Sequence, residues 1–361
     1  MPVRKMTSSK PPVAVKAATR RRAEATNLTI RAKDVLSHVF SLRKGQRILI
    51  VCDRDKLSIA RAFTEGAETL GATVDDFLLS ENRFVSGGIG EIEAVVRSGY
   101  DICLNFFDGI PEETASRVRL VKAEIASGAK ICHSPAITEE MLKIKVDYAV
   151  LKETSFRISQ AFQHAEKVKI TSNLGTNVEI QIAGRPWQDD LIARPGDVTN
   201  IPNGEIYCAP VEDGANGILV VDGAIGDFGF VPSPLIIEIN NGKIRRVKND
   251  LVGIRWRDPQ FMDQSNFLGR LKEKLLLDEM ASVIGELGIG LGPYNLIGSL
   301  LQDEKAIETI HVAFGHNATF GGKNISKTHR DFLVIHPTIE VFYRRPQMPS
   351  KILMRNGNLL I

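Results

Sequence analysis

With 361 residues and a formal net charge of +3, the chain is long enough for two domains, each able to bury a core. Apolar residues make up 43% and charged residues 25%, the balance of a water-facing globular protein, and no apolar run approaches the length that spans a bilayer. The positive excess is local: before Ile30 there are seven Lys or Arg and one acid, Glu24.

This Arg-rich, acid-poor start has the composition of a transit peptide, but it reads better as a basic arm over 1–32, or as a first helix around "AATRRRAEATNL". No basic patch interleaved with aromatics accompanies it, so nucleic acid is not expected as a partner, and neither is a membrane. Cys52, Cys103, Cys132 and Cys208 are widely scattered and form no CxxC pair. That excludes a zinc knuckle or disulfide framework and suggests a reducing, cytoplasmic setting.

Residues 33–162 alternate strand and helix patterns. "QRILIVCD", "TVDDFLL", "YDICLNFF" and "AKICHSP" read as strands, and "LSIARAFTEGAETLGA", "EIEAVVRSG" and "EETASRVRLVKAEIASG" as helices. Such alternation predicts an α/β domain with a mostly parallel sheet. The loop after the first strand, "CDRDKLS", contains neither GxGxxG nor GxxxxGK[ST], so no nucleotide site is expected. Asp53 and His133 sit near strand ends and read as structural.

Residues 163–361 have a different texture. "EKVKITSN", "NVEIQIAG", "GILVVDG", "LIIEINNGKIRRVKN" and "FLVIHPTIEVFYRR" alternate with Gly and Asn turns, as at Asn240-Asn241-Gly242. One long helix is predicted, from about Gln264 to Gly285. The expectation is a strand-rich α+β domain that carries a metal site.

That site is read from "ETIHVAFGHNATFGGKNISKTHRDF", which gathers His311, His316, His329 and Asp331. "THRDFLVI" reads as the start of a strand, and residues two apart on a strand face the same way. His329 and Asp331 would therefore point together, a pair suited to zinc, manganese, cobalt or iron. "TIHVAFG" reads as a neighbouring strand, joined through a loop that reverses at Gly321-Gly322, and would bring His311 to face them. The competing reading of His311 is a satisfied core histidine. Two glutamates lie in apolar or glycine-rich surroundings: Glu286 in "VIGELGIGLGP", directly after the long helix, and Glu205 in "IPNGEIYCAPVEDGANG". A carboxylate buried there without a partner costs several kcal/mol, so each needs one unless it is a surface turn residue.

In order along the chain, "PNGEIYCAPVED", "GELGIGLGP", "HVAFG", "GGKN" and "HRDFLV" resemble the signatures of the aminopeptidase T family of metallopeptidases. The resemblance extends over most of the chain from about residue 34. It implies a homodimeric, cytoplasmic exopeptidase that acts on a peptide or small amide and holds two divalent ions (zinc, cobalt, manganese or magnesium). The family's metal ligands would fall on Glu205, Glu286, His311, His329 and Asp331. Three carboxylates then contribute −3 against +4, and the surplus +1 suits a bound hydroxide, the nucleophile of amide hydrolysis.

Two positions depart from the family pattern. Ala318 stands where the peptidases carry a tyrosine, and Arg330 replaces a tryptophan between the last two ligands. His316 is the candidate to substitute as donor or base, against the plainer reading of an exposed loop histidine. Dihydroxypyridine dioxygenases share the fold and resemble this chain as well. They use one Fe(II), two His and one Asp, with a further His near the position of Glu286. Retention of Glu286 favours two metals and hydrolysis, whereas loss of the tyrosine favours other chemistry. A metal-free binding protein is disfavoured because every ligand position is filled.

Overall fold

A computed structural model describes residues 27–79, 88–248, 264–344 and 347–361. Residues 1–26 of the expected basic arm, and with them most of the first helix expected around "AATRRRAEATNL", lie outside these residues; the arm's last residues, 27–32, belong to a helix (α1) that runs over 27–38. The chain divides into two compact units, one reaching Ile144 and regaining Ala193–Val198, the other comprising Lys145–Ile192 and Thr199–Ile361.

The first unit is built on parallel strands. β1 (Arg47–Cys52) pairs in parallel with both β2 (Thr73–Leu78) and β3 (Ile102–Phe106), and β3 with β4 (Lys130–His133). β1 and β3 are buried almost throughout, which suits central parallel strands, whereas the edge strand β2 is largely exposed. Helices α2 (Leu57–Thr69), α3 (Gly88–Val96) and α4 (Thr114–Ser127) follow the first three strands. α4 stops where Gly128 adopts the left-handed conformation that glycine accepts readily. Among the strand-end residues, Asp53 accepts a hydrogen bond from the Asp108 amide at 2.7 Å, and the His133 ring stands edge-on to Phe107.

The first unit's opening stretch closes with α5 (Glu139–Lys143), and the second unit begins with α6 (Tyr148–Ala161). Its first sheet has the order β14-β13-β10-β6-β5-β18-β19-β20, where β5 is Ala165–Thr171, β6 Asn177–Gln181, β10 Ala215–Val221, β13 Leu235–Asn240, β14 Lys243–Lys248, β18 Thr338–Tyr343, β19 Lys351–Arg355 and β20 Asn358–Leu359. The second has the order β12-β11-β17-β16-β15-β9-β7, where β7 is Gln188–Asp189, β9 Glu205–Cys208, β11 Ala224–Ile225, β12 Gly229–Phe230, β15 Ile284–Gly290, β16 Thr309–Gly315 and β17 His329–Ile335. β8 (Val198–Thr199) belongs to the sheet of the first unit. Among the described residues, the strand pairs within both sheets of the second unit are antiparallel, and one hydrophobic core draws Val168, Ile170 and Ile237 from the first sheet and Leu287, Val312 and Phe332 from the second.

The long helix expected to reach Gly285 ends earlier. α7 spans Gln264–Leu275, and a turn follows in which Leu276 and Leu277 are exposed. Asp278 ends the helical stretch by accepting from the Met280 and Lys327 amides. Glu286 therefore lies within a strand, not directly after a helix. The glycines that argue against a strand in "VIGELGIGLGP" are needed where other groups come within van der Waals distance of the backbone, as described below. Among the described residues, no helix is long and apolar enough to cross a membrane.

Candidate metal centre

Strand alternation divides the central strands of the second sheet into two faces. Ile206, Cys208, Leu287, Ile289, Ile310, Val312, Phe314, Phe332 and Val334 enter the core. Their neighbours Glu205, Tyr207, Glu286, Gly288, His311, Ala313, His329 and Asp331 take the other face. In β15 the register shifts between Ile284 and Glu286, so both Ile284 and Leu287 reach the core while Glu286 faces away from it. In register, Glu286 lies opposite Ala313, which lies opposite Asp331; Tyr207 lies opposite Gly288, which lies opposite His311. All five residues proposed as ligands thus converge from four adjacent strands.

Small residues make room for them. A Cβ on Gly288 would lie 2.0 Å from His311 Nε2, so the imidazole occupies the space a side chain would take. A Cβ on Gly290 would meet the Ala306 carbonyl at 2.0 Å, so that glycine admits the segment after α8 (Leu300–Asp303), which carries Lys305.

His311 Nε2 lies 3.1 Å from Glu286 Oε1 and 3.2 Å from Glu205 Oε2. His329 Nε2 lies 3.2 Å from Glu286 Oε2 and 3.4 Å from Asp331 Oδ1. Glu286 thus offers one oxygen to each imidazole. The His329 side chain is 30% exposed and that of His311 only 1%, so solvent reaches the cluster from the His329 side.

The donor set fits a cation. His329 Nδ1 lies 2.7 Å from the His316 carbonyl, which can only accept, so Nδ1 carries the proton. In a neutral ring Nε2 is then a lone pair facing two carboxylate oxygens, an arrangement that needs a positive charge between them or on the ring. Glu205 Oε2 is buried and has no hydrogen bond among the described residues. Without an ion, protons take up the charge. Burial alone would lower the pKa of both histidines, but Asp331 and Glu286 hold His329 well above its ordinary value, and Glu286 and Glu205 raise His311 to about 9. Burial would raise Glu286 and Asp331, yet the two histidines hold both down. Glu205 goes the other way, pushed up to about 8 by burial in spite of Lys305 and His311.

Three residues near the cluster escaped the sequence reading. Lys305 is fully buried; its ammonium donates to Glu205 Oε1 and, at 2.7 Å, to Glu304 Oε1. Asp190, also buried, accepts from the amides of Gly204 and Glu205 and so fixes the start of β9. Locally, "LQDEKAIE" reads as a solvated charge run, and only opposite charges side by side between apolar segments hint otherwise.

His316 lies in the loop after β16, where the Ser326 amide points at its Nδ1 from 3.5 Å. Burial and then His329 keep its pKa below the ordinary value. Ala318 is exposed in the same loop. Arg330 faces away from the cluster; it donates to the Gly226 carbonyl and to Asp227, and lies over the Phe228 ring. A further acidic group, Asp53, Asp55 and Asp108 in the first unit, has a cation of its own, because Lys56 pairs with both Asp55 and Asp108.

The fold is shared with two solved structures. 2,5-dihydroxypyridine dioxygenase from Pseudomonas putida KT2440 is 17% identical with a TM-score of 0.67, and the match covers 93% of this chain and 97% of that one. AmpT from Thermus thermophilus is also 17% identical with a TM-score of 0.67, and the match covers 93% of this chain and 99% of that one. A search of curated proteins gave no match. The family model described as NicX, 2,5-dihydroxypyridine 5,6-dioxygenase, matches residues 122–342, a span that includes the whole cluster. Because that span is more than half of its length, the chain belongs to the NicX family.

Proposed function

We infer that this enzyme uses a bound metal ion to open a hydroxylated heteroaromatic ring with dioxygen. Glu286, His311, His329 and Asp331 would hold the ion, with Glu205 at its flank. The observation that carries this reading is the family match, whose span takes in all five residues. Two features of the chain support it. The peptidase tyrosine is replaced by Ala318, so that loop supplies no phenol. Phe320 stands edge-on to His329 with ring centres 5.8 Å apart, and Tyr207 stands edge-on to Phe320 at 5.6 Å. These rings give the open side of the cluster an aromatic wall suited to a flat substrate.

Iron(II) held there would polarise a substrate oxygen and let the electron-rich hydroxylated ring, which is the four-electron reductant, react with dioxygen. The protein's own part is orientation and proton handling. The His316 carbonyl fixes the His329 ring, and Lys305 holds one oxygen of Glu205 so that the other faces the cluster. The His316 ring, neutral near pH 7 because its pKa is lowered, is the group we assign to proton transfer.

One observation favours a second reading, amide hydrolysis with two divalent ions. The groups Glu205–Glu286–His311 and Glu286–His329–Asp331 share Glu286, which presents a different oxygen to each, as a bridging carboxylate does. The deciding experiment loads the protein with Fe(II) without air and then adds oxygenated buffer with 2,5-dihydroxypyridine. Oxygen uptake matched to substrate loss is expected. No uptake with any hydroxylated pyridine, together with release of nitroaniline from aminoacyl nitroanilides by cobalt- or zinc-loaded protein, would replace the oxygenase reading with the hydrolase.

A further inference from the structure

Tyr207 is the one aromatic side chain that β9 places on the same face as the five charged residues. It follows Glu205 by two positions and lies opposite Gly288, which lies opposite His311. Because Gly288 has no side chain, the His311 imidazole stands over the backbone between them. The tyrosine ring packs edge-on to Phe320, and Phe320 packs edge-on to His329, so the three rings follow one another along the open flank. Phenylalanine would pack equally well. The hydroxyl is what packing leaves unexplained: Tyr207 is half-buried, and its hydroxyl has no hydrogen-bond partner among the described residues. The other tyrosines of this unit use theirs: Tyr148 donates to Asn203 Oδ1, Tyr294 to the Asn203 carbonyl and Tyr343 to the Ala161 carbonyl. A phenol beside a polar cluster with no protein partner is free to serve a ligand.

We propose that Tyr207 is a substrate-binding residue whose hydroxyl donates a hydrogen bond to one oxygen of a flat, hydroxylated heteroaromatic ring seated against Phe320. The assignment rests on the aromatic reading of the site. It gives the chain a phenol donor from β9, packed through Phe320 against the same loop in which Ala318 replaces the expected tyrosine. It also makes Tyr207 a determinant of specificity, because a substrate lacking the oxygen in question gains nothing from it.

The test is Tyr207→Phe, which keeps the ring and removes only the hydroxyl. Anaerobic Fe(II)-loaded wild type and variant are titrated with 2,5-dihydroxypyridine, 2-hydroxypyridine and 3-hydroxypyridine, and binding is followed by ultraviolet absorbance. Metal content should be unchanged. Affinity for the dihydroxy compound should fall roughly 10- to 100-fold, the loss expected when a donor to a charged oxygen is removed. One of the two monohydroxy compounds, the one lacking the contacted oxygen, should bind both proteins equally. If the variant binds all three compounds as the wild type does, the assignment is overturned while the aromatic reading stands. If the variant loses its metal, Tyr207 serves the ion site rather than the substrate, and the assignment is again overturned. If the wild type binds none of the three, the aromatic reading fails and takes the assignment with it.

Discussion

His316 and His329 lie in one loop-and-strand segment, but their surroundings give them different tasks. His329 contributes its ring to the cluster, so His329→Ala should remove metal and activity together, by more than the roughly 10- to 100-fold cost of losing an outer partner. His316 holds that ring through its backbone carbonyl, which survives substitution. His316→Ala should therefore keep full metal content by elemental analysis while turnover drops roughly 10²- to 10⁴-fold, the range for a lost proton-transfer group. Unchanged turnover would reduce the role of His316 to its carbonyl. Lys305 poses a different problem. Its ammonium is buried between Glu205 and Glu304, and Lys305→Met would leave both carboxylates without it. Breaking a buried pair in this way typically costs roughly 3–5 kcal/mol, a loss that urea unfolding of the metal-free protein would detect. A loss below about 1 kcal/mol would mean that the glutamates are already neutral there.

At the scale of elements, β16 and β17 could be read from the sequence, because alternation and the glycine turn between them survive any context. β15 was not legible in the same way. Beyond its register shift, its even positions hold Glu286, Gly288 and Gly290, a pattern with no strand propensity, and only the neighbouring strands explain it. Lys305 and Asp190 were invisible for a related reason: burial of a charge is decided by partners far away in the chain. The β3–α4 pair in the first unit shows the same effect. Glu124 on α4 is buried against Asn105 of β3, and burial pushes its pKa up to about 8 in spite of the hydrogen bond from Asn105. The folded state thus holds a proton that the unfolded chain releases near the ordinary carboxyl value. Stability should be full below about pH 4.5 and should fall as pH rises toward 8, by up to roughly 1.4 kcal/mol per unit. Glu124→Gln should flatten that slope in denaturant titrations across this window; an unchanged slope would assign it to other groups.

At the scale of the whole molecule, the change of texture near residue 162 marks where strands become antiparallel, whereas the units themselves divide after Ile144. The first unit then regains Ala193–Val198. The Ile131 amide donates to the Asp197 carbonyl, and the Gly196 amide to the Ala129 carbonyl, so this short return covers the flank of β4. No linear reading finds such a return, since six residues carry too little pattern. A fragment of residues 27–162 should expose that flank and associate edge to edge. Light scattering on the purified fragment would check this, and a stable monomer would show that β4 tolerates an open edge.

The floor of the metal cluster carries a consequence for inheritance. Gly288 and Gly290 contribute no functional group, yet the imidazole and the lysine-bearing turn lie where their side chains would be. Any amino-acid change at a glycine codon adds atoms. Variation at these two positions therefore runs in one direction only, toward filling the hollow, and no replacement can be neutral by being smaller. In a population, the most intolerant codons of this site should include two that encode no side chain at all.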